Sequence, residues 1–484
     1  MIDKKPEVVW HYFEELSKIP RPSGMEENAT QFIVEVAKKH NLTFKKDKVG
    51  NVVISIPPSK GFEKSPTVIL QGHLDMVCEK NSGTKHNFTK DPIKLIVSGD
   101  TVKADGTTLG ADNGIGVAMA LALLDDKDSK FGPLELLFTT DEERGLNGAK
   151  SLSKDFVTGK ILINLDTEEE GAIYIGCAGG TDTILDLKIT RDEKSFGKTY
   201  LIKVTGLRGG HSGSDIHKGR GNANQILTRV LRQIQKEGID YGIIAIQGGS
   251  KRNAIPREAF AQISLNPKNL ASVEEIIKNV YSQIKLELRN VDDGLKIEIE
   301  GNQRTKNAPF TEKSKKKVLD LLFSIPHGVI SYDKEIPDLV ETSTNFAIIE
   351  TEEEKVSIIT SQRSNLTSRM NWAAERMRVL GTLAGAKSKS SGTYHGWTPN
   401  LKSKLLLLAK KTYKKITGKE SIAKAIHAGL ECGLFGEKFA GLDMISIGPT
   451  IKNAHTPDEC VSIASVERTY KFLKELLKDI AKAK

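Results

Sequence analysis

Only four cysteines occur in 484 residues, Cys78, Cys177, Cys432 and Cys460, and no two of them form a CxxC pair. That scarcity argues against a disulfide framework or a zinc knuckle, and a reducing cytoplasm is its simplest setting. Long apolar runs are missing as well. No stretch of 18 or more apolar residues is available to span a bilayer. The opening MIDKKPEVVWHYFEEL lacks the apolar core of a secretory signal and reads as an amphipathic helix after Pro6. No zinc finger, RNP-type aromatic strand motif or heptad-bearing basic region is found, so no nucleic acid partner is expected. The net charge of +9 is a modest excess, carried partly by residues 313–317 and the lysine-rich 471–484, and reads as a solvated basic face.

What remains is a globular composition: 38% hydrophobic residues, and 42 glycines spread without a period. A chain of this length exceeds one ordinary core, so at least two domains are expected. Residues 1–188 alternate strand-like runs (TVILQ at 67–71, LELLF at 134–138, ILINL at 161–165) with helix-like ones. Ser23 and Glu26 resemble a capping box that opens a helix to about residue 40. GIGVAMALALL (114–124) reads as a buried helix. Such alternation points to an α/β sheet with helices on its faces. Residues 391–484 return to that style, with a helix at 405–416, a strand at 443–448 and a final helix from about 462. That last helix places Tyr470, Leu473, Leu476 and Leu477 on one face. The middle, 189–390, differs. Alternating strands at 199–206, 259–266 and 295–301 are interleaved with amphipathic helices near 222–236 and 272–286. A helix at 312–323 and strands near 344–350 and 355–361 follow. This reads as one or two α+β units inserted into the first domain.

The chemistry-bearing residues follow the predicted strands. His73 and Asp75 come after TVILQG, Glu142 and Glu143 after LELLFTT, and Asp166 after ILINL. Asp112 follows KADGTTLGA, and His455 lies in the loop after DMISIGPT. In open α/β sheets, sites form beyond the carboxyl ends of strands, so these segments can deliver carboxylates and imidazoles to one point. Carboxylates gathered without a cation raise one another's pKa, and two divalent ions would relieve them. Two histidines and three carboxylates suit zinc, manganese or cobalt. Each residue also has an ordinary reading. His73 can simply hydrogen-bond a local aspartate, Glu142–Glu143 can be an acidic turn, Asp112 and Asp166 can cap helices, and His455 can be a loop histidine. Their joint arrangement favours chemistry. A nucleotide site finds little support: GIGVAM (114–119) lacks the third glycine of a dinucleotide fingerprint, and FGKT (196–199) is preceded by Asp192 where a phosphate loop needs glycine.

The succession GHLDMV, TTLGADNGIGVAMAL, FTTDEERGLNGA, LINLDTEE and IGPTIKNAHTPDE resembles the M20 family of di-zinc peptidases, above all its aminoacyl-histidine dipeptidase branch. The similarity spans the chain, including GLRGGHSGSDIHKGRGNAN and AIHAGLECGLF. It implies a mixed-sheet α/β catalytic domain with an inserted α+β lid domain. It implies a cytoplasmic hydrolase of unblocked dipeptides, aminoacyl-histidine types included, with a homodimer as one assembly it allows. Tripeptidases and N-acyl amino acid amidohydrolases of the family share the same chemistry and are the alternatives. By resemblance, His73, Asp112 and Asp166 serve one ion, while Asp112 bridges to a second held by Glu143 and His455. The ions are zinc first, cobalt or manganese otherwise. Asp75 orients His73, and Glu142 is the general base. The Asp112–Asn113 peptide is expected to be cis. His211, at the tip of a glycine loop in the insert, resembles a stabiliser of the oxyanion. Asn253 and Arg369 resemble substrate-binding positions, Arg369 as a clamp on the substrate carboxylate. Glu431 faces the substrate amine or supports the metal shell.

Overall fold

Short β-rich apolar runs bounded by Gly, Pro and Asp become the strands of two large sheets and two small ones in the computed structural model, which describes residues 2–192, 197–301 and 307–483. The chain divides into two units. The first comprises Met1–Gly176, Trp397–Ala425 and Leu430–Lys484, and the second Cys177–Gly396 and Ile426–Gly429.

In the first unit an eight-stranded sheet runs Thr43–Lys46, Val52–Ile56, Leu134–Thr139, Val68–His73, Ile161–Asn164, Asp443–Ser446, Ala172–Cys177, Ile422–Ile426. The four strands from Leu134–Thr139 to Asp443–Ser446 are mutually parallel. Every residue of Val68–His73 and Leu134–Thr139 is buried, as expected for strands covered on both faces. The helix Ala111–Ala122 packs on this sheet with an almost wholly buried surface, which is why its sequence is Ala, Leu, Met and Gly rather than amphipathic. A small four-stranded sheet, with Ile451–Lys452, Cys460–Ser462, Thr101–Ala104 and Leu95–Ser98 in order, holds the loop between its first two strands. The final helix Ile463–Lys482 buries Tyr470, Leu473, Leu476 and Leu477.

The second unit is built on one nine-stranded sheet whose pairings are antiparallel. Helices Ala223–Lys236, Leu270–Glu287, Glu312–Ser324 and Thr367–Ala384 cover an apolar core that includes Leu227, Leu231, Ile243, Ile263, Phe346 and Ile358. It begins at Cys177 rather than after 188 because Gly179–Lys188 pairs along its whole length with Lys355–Ser364. Residue 196 of the FGKT segment lies outside the described residues, and Lys198 and Thr199 open the strand Lys198–Thr205. The capping box read at Ser23 and Glu26 does not form. Helix Glu27–Lys39 has no side-chain cap, because Glu26 Oε1 accepts from the amides of Gly24 (2.6 Å) and Asp141 (3.0 Å) instead.

Candidate metal centre

Three of the four parallel strands end on a residue of one cluster or run within a few residues of it, and the fourth leads into the His455 loop. His73 closes Val68–His73, Glu142 and Glu143 follow Leu134–Thr139, Asp166 follows Ile161–Asn164, and His455 lies beyond Asp443–Ser446. Asp112 sits in the first turn of Ala111–Ala122, with non-helical backbone (φ −81°, ψ 110°) and a cis peptide to Asn113. The crevice beyond the carboxyl ends of parallel strands thus receives five residues of metal-ligand type.

Asp112 is central to the geometry. Its Oδ1 lies 3.0 Å from His73 Nε2 and its Oδ2 lies 3.0 Å from His455 Nε2. His73 Nε2 is 3.4 Å from Asp166 Oδ1, and His455 Nε2 is 2.9 Å from Glu143 Oε1. Two triads follow, His73–Asp112–Asp166 and Asp112–Glu143–His455, each with its ligand atoms within 4.8 Å of one another. Glu142 joins His73 and Glu143 in a third. Among the described residues no lysine or arginine pairs with Asp112, Glu143 or Asp166. The other face of His73 turns to Asp75, with Nδ1 at 3.2 Å from its carbonyl and 3.4 Å from its Oδ1. The Asp75 carboxylate also accepts the amides of Glu142 (3.0 Å) and Glu143 (3.2 Å), so one buried side chain orients a histidine and fixes the backbone of both glutamates.

Electrostatics match a site built for cations. Burial, with the charges of Asp112 and Glu143 added and His73 opposing, pushes the Asp166 carboxyl up to about 7. Burial likewise holds Glu142 well above the carboxylate range, and Glu168 up to about 7. Hydrogen bonds to Asp112 and Glu143 raise His455 to about 11. Burial works against charge on His73, yet Asp166, Asp112 and Asp75 outweigh it and raise the imidazole. For Asp75 burial is overcome by His73 and the Glu142 amide, which hold it down to about 2. Imidazoles that gain protons beside carboxylates that resist losing them mark positions where positive charge is favoured. The buried Asp166 Oδ1 makes no hydrogen bond. Two imidazoles and three carboxylates, one of them with an unsatisfied buried oxygen, fit divalent metal ions.

Behind the cluster runs a ladder of buried polar side chains that the apolar strand patterns concealed. Thr167 Oγ1 and Ser446 Oγ are 2.6 Å apart, and Ser446 donates to Asn164 Oδ1. Asn164 Nδ2 donates to Gln71 Oε1 (2.6 Å), and Gln71 Nε2 donates to Glu431 Oε2 (2.5 Å), which also accepts from Thr139 Oγ1 (2.8 Å). Asp166 N meets the same Asn164 Oδ1 at 3.3 Å. A lone Gln, Asn or Thr inside each apolar strand was the available signal. Glu431 is 1% exposed and bound to two strand residues, which suits a support for the cluster better than a contact for an amine. Burial pushes it up to about 7.

The remaining candidates lie in the second unit. A two-stranded pairing sets Gly210–His211 against Ala254–Ile255, and the Ser212 amide donates to the Asn253 carbonyl (2.9 Å), so His211 and Asn253 are neighbours. His211 Nδ1 accepts from the amides of Gly213 (3.2 Å) and Ser214 (3.1 Å). Burial and the Arg363 charge lower it to about 4. At neutral pH the ring is uncharged and its proton sits on Nε2. Arg369 is already engaged: Nε lies 3.2 Å from Glu341 Oε1, and the guanidinium stacks 4.6 Å from the Trp372 ring. Arg363, unremarked in the sequence, is 7% exposed and bound only to neutral groups among the described residues, Tyr394 Oη (2.8 Å) and Ser212 Oγ (3.3 Å). A buried guanidinium without a carboxylate is a ready anion receptor.

Residues 69–479 match the description of peptidase family M20/M25/M40. The sequence is 42% identical over 476 residues, 98% of both chains, to the cytosol non-specific dipeptidase of Escherichia coli (strain K12). The crystal structure of an aminoacylhistidine dipeptidase from Vibrio alginolyticus is similar with a TM-score of 0.88, at 40% identity over 98% of this chain and 97% of that one. Aminopeptidase PepT from Bacillus cereus shares the fold at 15% identity, with a TM-score of 0.59 over 99% of this chain and 100% of that one.

Proposed function

The chain belongs to peptidase family M20/M25/M40, and from that premise we propose that its two triads hold a pair of divalent ions, zinc first among them, for the hydrolysis of unblocked dipeptides. It is a metallopeptidase and acts as a dipeptidase, including on aminoacyl-histidine substrates. The observation that carries the paired-ion reading is Asp112, whose two oxygens each face a different histidine at 3.0 Å. His73, Asp112 and Asp166 would hold one ion, and Asp112, Glu143 and His455 the other. When bound, such ions would acidify a water and polarise a carbonyl.

The protein groups then have separate tasks. Asp75 keeps a proton on His73 Nδ1, leaving Nε2 as the ligand atom. Glu142, fixed through its amide to Asp75, takes a proton from the attacking water and returns it to the leaving amine nitrogen. His211, neutral and protonated at Nε2, donates to the carbonyl oxygen as it gains charge. Arg363, which among the described residues meets only the hydroxyls of Tyr394 and Ser212, takes the carboxylate of the substrate in place of Arg369, which already faces Glu341. Asn253 contacts the substrate beside His211. No helix of the described residues is long and apolar enough to cross a membrane. The cytosol in the name of the E. coli relative supports a cytoplasmic setting.

A panel of β-alanyl-histidine, Ala-Ala, Ala-Ala-Ala and N-acetyl amino acids tests the substrate class. Hydrolysis of the two dipeptides well above the others is expected. Preferential cleavage of the tripeptide or the acylated amino acids would reassign the enzyme within its family.

A further inference from the structure

The turn that presents Asp112 is held from two sides by buried charges with no part in the ligand set. On one side stands Glu459, four residues beyond His455 and 2% exposed. Its Oε2 accepts the amides of Leu109 (2.8 Å) and Gly110 (3.0 Å), and its Oε1 those of Ala111 (2.8 Å) and Asp112 (3.2 Å). One carboxylate thus satisfies four successive N–H groups where Ala111–Ala122 begins, a terminus with no side-chain cap of its own. On the other side the Arg21 guanidinium donates to the carbonyls of Leu74 (2.9 Å), Asp75 (3.1 Å) and Gly110 (2.6 Å). Gly110 is left-handed (φ 71°), and a Cβ there would meet Arg21 Nη2 at 2.5 Å, so the turn closes only around glycine. Three segments distant in sequence, those bearing His73, Asp112 and His455, are therefore joined by one buried carboxylate and one buried guanidinium.

The His455 loop has the greatest need of such a tie. His455 itself has positive φ (63°), and its side chain is 49% exposed, whereas that of His73 is 1% exposed. Burial holds His455 in place far less than it holds His73, so its distance to Asp112 depends on the loop around it. That loop is anchored to the Asp112 turn through Glu459.

Resting on the paired-ion reading, we propose that Glu459 is a positioning residue of the centre: it locks the His455 loop to the Asp112 turn, and its loss weakens the ion on the His455 side while sparing the one on the His73 side. Glutamine keeps the size of the side chain but offers one acceptor oxygen, and its NH2 would face two amides that are themselves donors. Aspartate keeps the charge but withdraws it by one methylene.

Metal-stripped protein titrated with Co2+, followed by calorimetry and visible absorption, tests this. The parent chain is expected to bind two ions. Glu459→Gln should bind one with near-parental affinity and the other about 10- to 100-fold more weakly, the usual consequence of losing an outer partner of a metal ligand. Glu459→Asp should show the same asymmetry, and it serves alone if Glu459→Gln does not fold. Added to His455→Ala, Glu459→Gln should cost little further ion affinity, because both act on the same ion. A purely structural carboxylate would lower the melting temperature and leave both affinities parental in each variant, and that result overturns the proposal. A parent chain that binds no ion pair overturns the paired-ion reading itself, and this inference with it.

Discussion

Glu142 and Glu143 are adjacent in sequence, yet their carboxylates meet different neighbours. Glu143 Oε1 reaches His455 Nε2 at 2.9 Å, whereas Glu142 is held by burial well above the carboxylate range. Glu142→Gln is accordingly expected to keep its ion content while turnover falls by about 10^2- to 10^4-fold, the range for loss of a general base. Glu143→Gln should lose ion affinity as well. Steady-state kinetics alongside metal analysis checks both, and exchanged behaviour would reverse the two assignments. The arginines offer a second contrast. Arg363→Ala should lower kcat/KM for dipeptides by roughly 10- to 100-fold, as expected for charged hydrogen bonds of about 1.5–3 kcal/mol. Arg369→Ala should change it far less, since its guanidinium already faces Glu341 and Trp372. Comparable losses in both variants would return Arg369 to the substrate site. Sequence reasoning passed over Arg363 because it sits in the polar stretch TSQRS of a strand. That an arginine is buried with no acidic partner among the described residues is a property of packing, invisible in the pattern.

At the scale of elements, the strands that deliver the cluster were legible because they are short, apolar and followed directly by His, Asp or Glu. Val68–His73, Leu134–Thr139 and Ile161–Asn164 fall within a residue or two of the runs at 67–71, 134–138 and 161–165. What failed was local capping inferred from spacing. Ser23 and Glu26 have the right separation, but the 140s loop competes for the Glu26 carboxylate and wins it. The converse case is Ser462, whose Oγ accepts from Ser465 N (3.3 Å) and donates to Asp100 Oδ2 (2.7 Å) at the start of the final helix. Ser462→Ala should therefore destabilise by about 1 kcal/mol, the usual worth of an N-cap. Leu473→Ala, within the same helix and fully buried, should cost about 2–5 kcal/mol. Thermal unfolding of the two variants should rank them in that order, and an equal or inverted ranking would mean that the helix is secured mainly by its cap.

For the whole molecule, composition and alternation implied an α/β part interrupted by an α+β part, and the division into two units has that form. The limits of the insertion were harder to read. Gly179–Lys188 resembles the strands before it in composition, and only its pairing with Lys355–Ser364 assigns it to the second sheet. Ile426–Gly429 returns to the second unit within a segment that otherwise belongs to the first, a crossing that no change in composition announces. Long-range ties such as Glu459 to the 109–112 amides are equally silent, because the partners are backbone groups more than three hundred residues away.

The proposed pair of ions ties dipeptide hydrolysis to His73, Asp112, Glu143, Asp166 and His455. Its most direct test is hydrolysis of β-alanyl-histidine by metal-stripped protein as Zn2+ is added stepwise, with bound ion measured at each step. Activity should be absent without metal and reach its plateau at two bound ions per chain. Hydrolysis at full rate by the stripped protein, or a plateau reached with no tightly bound ion, would contradict it.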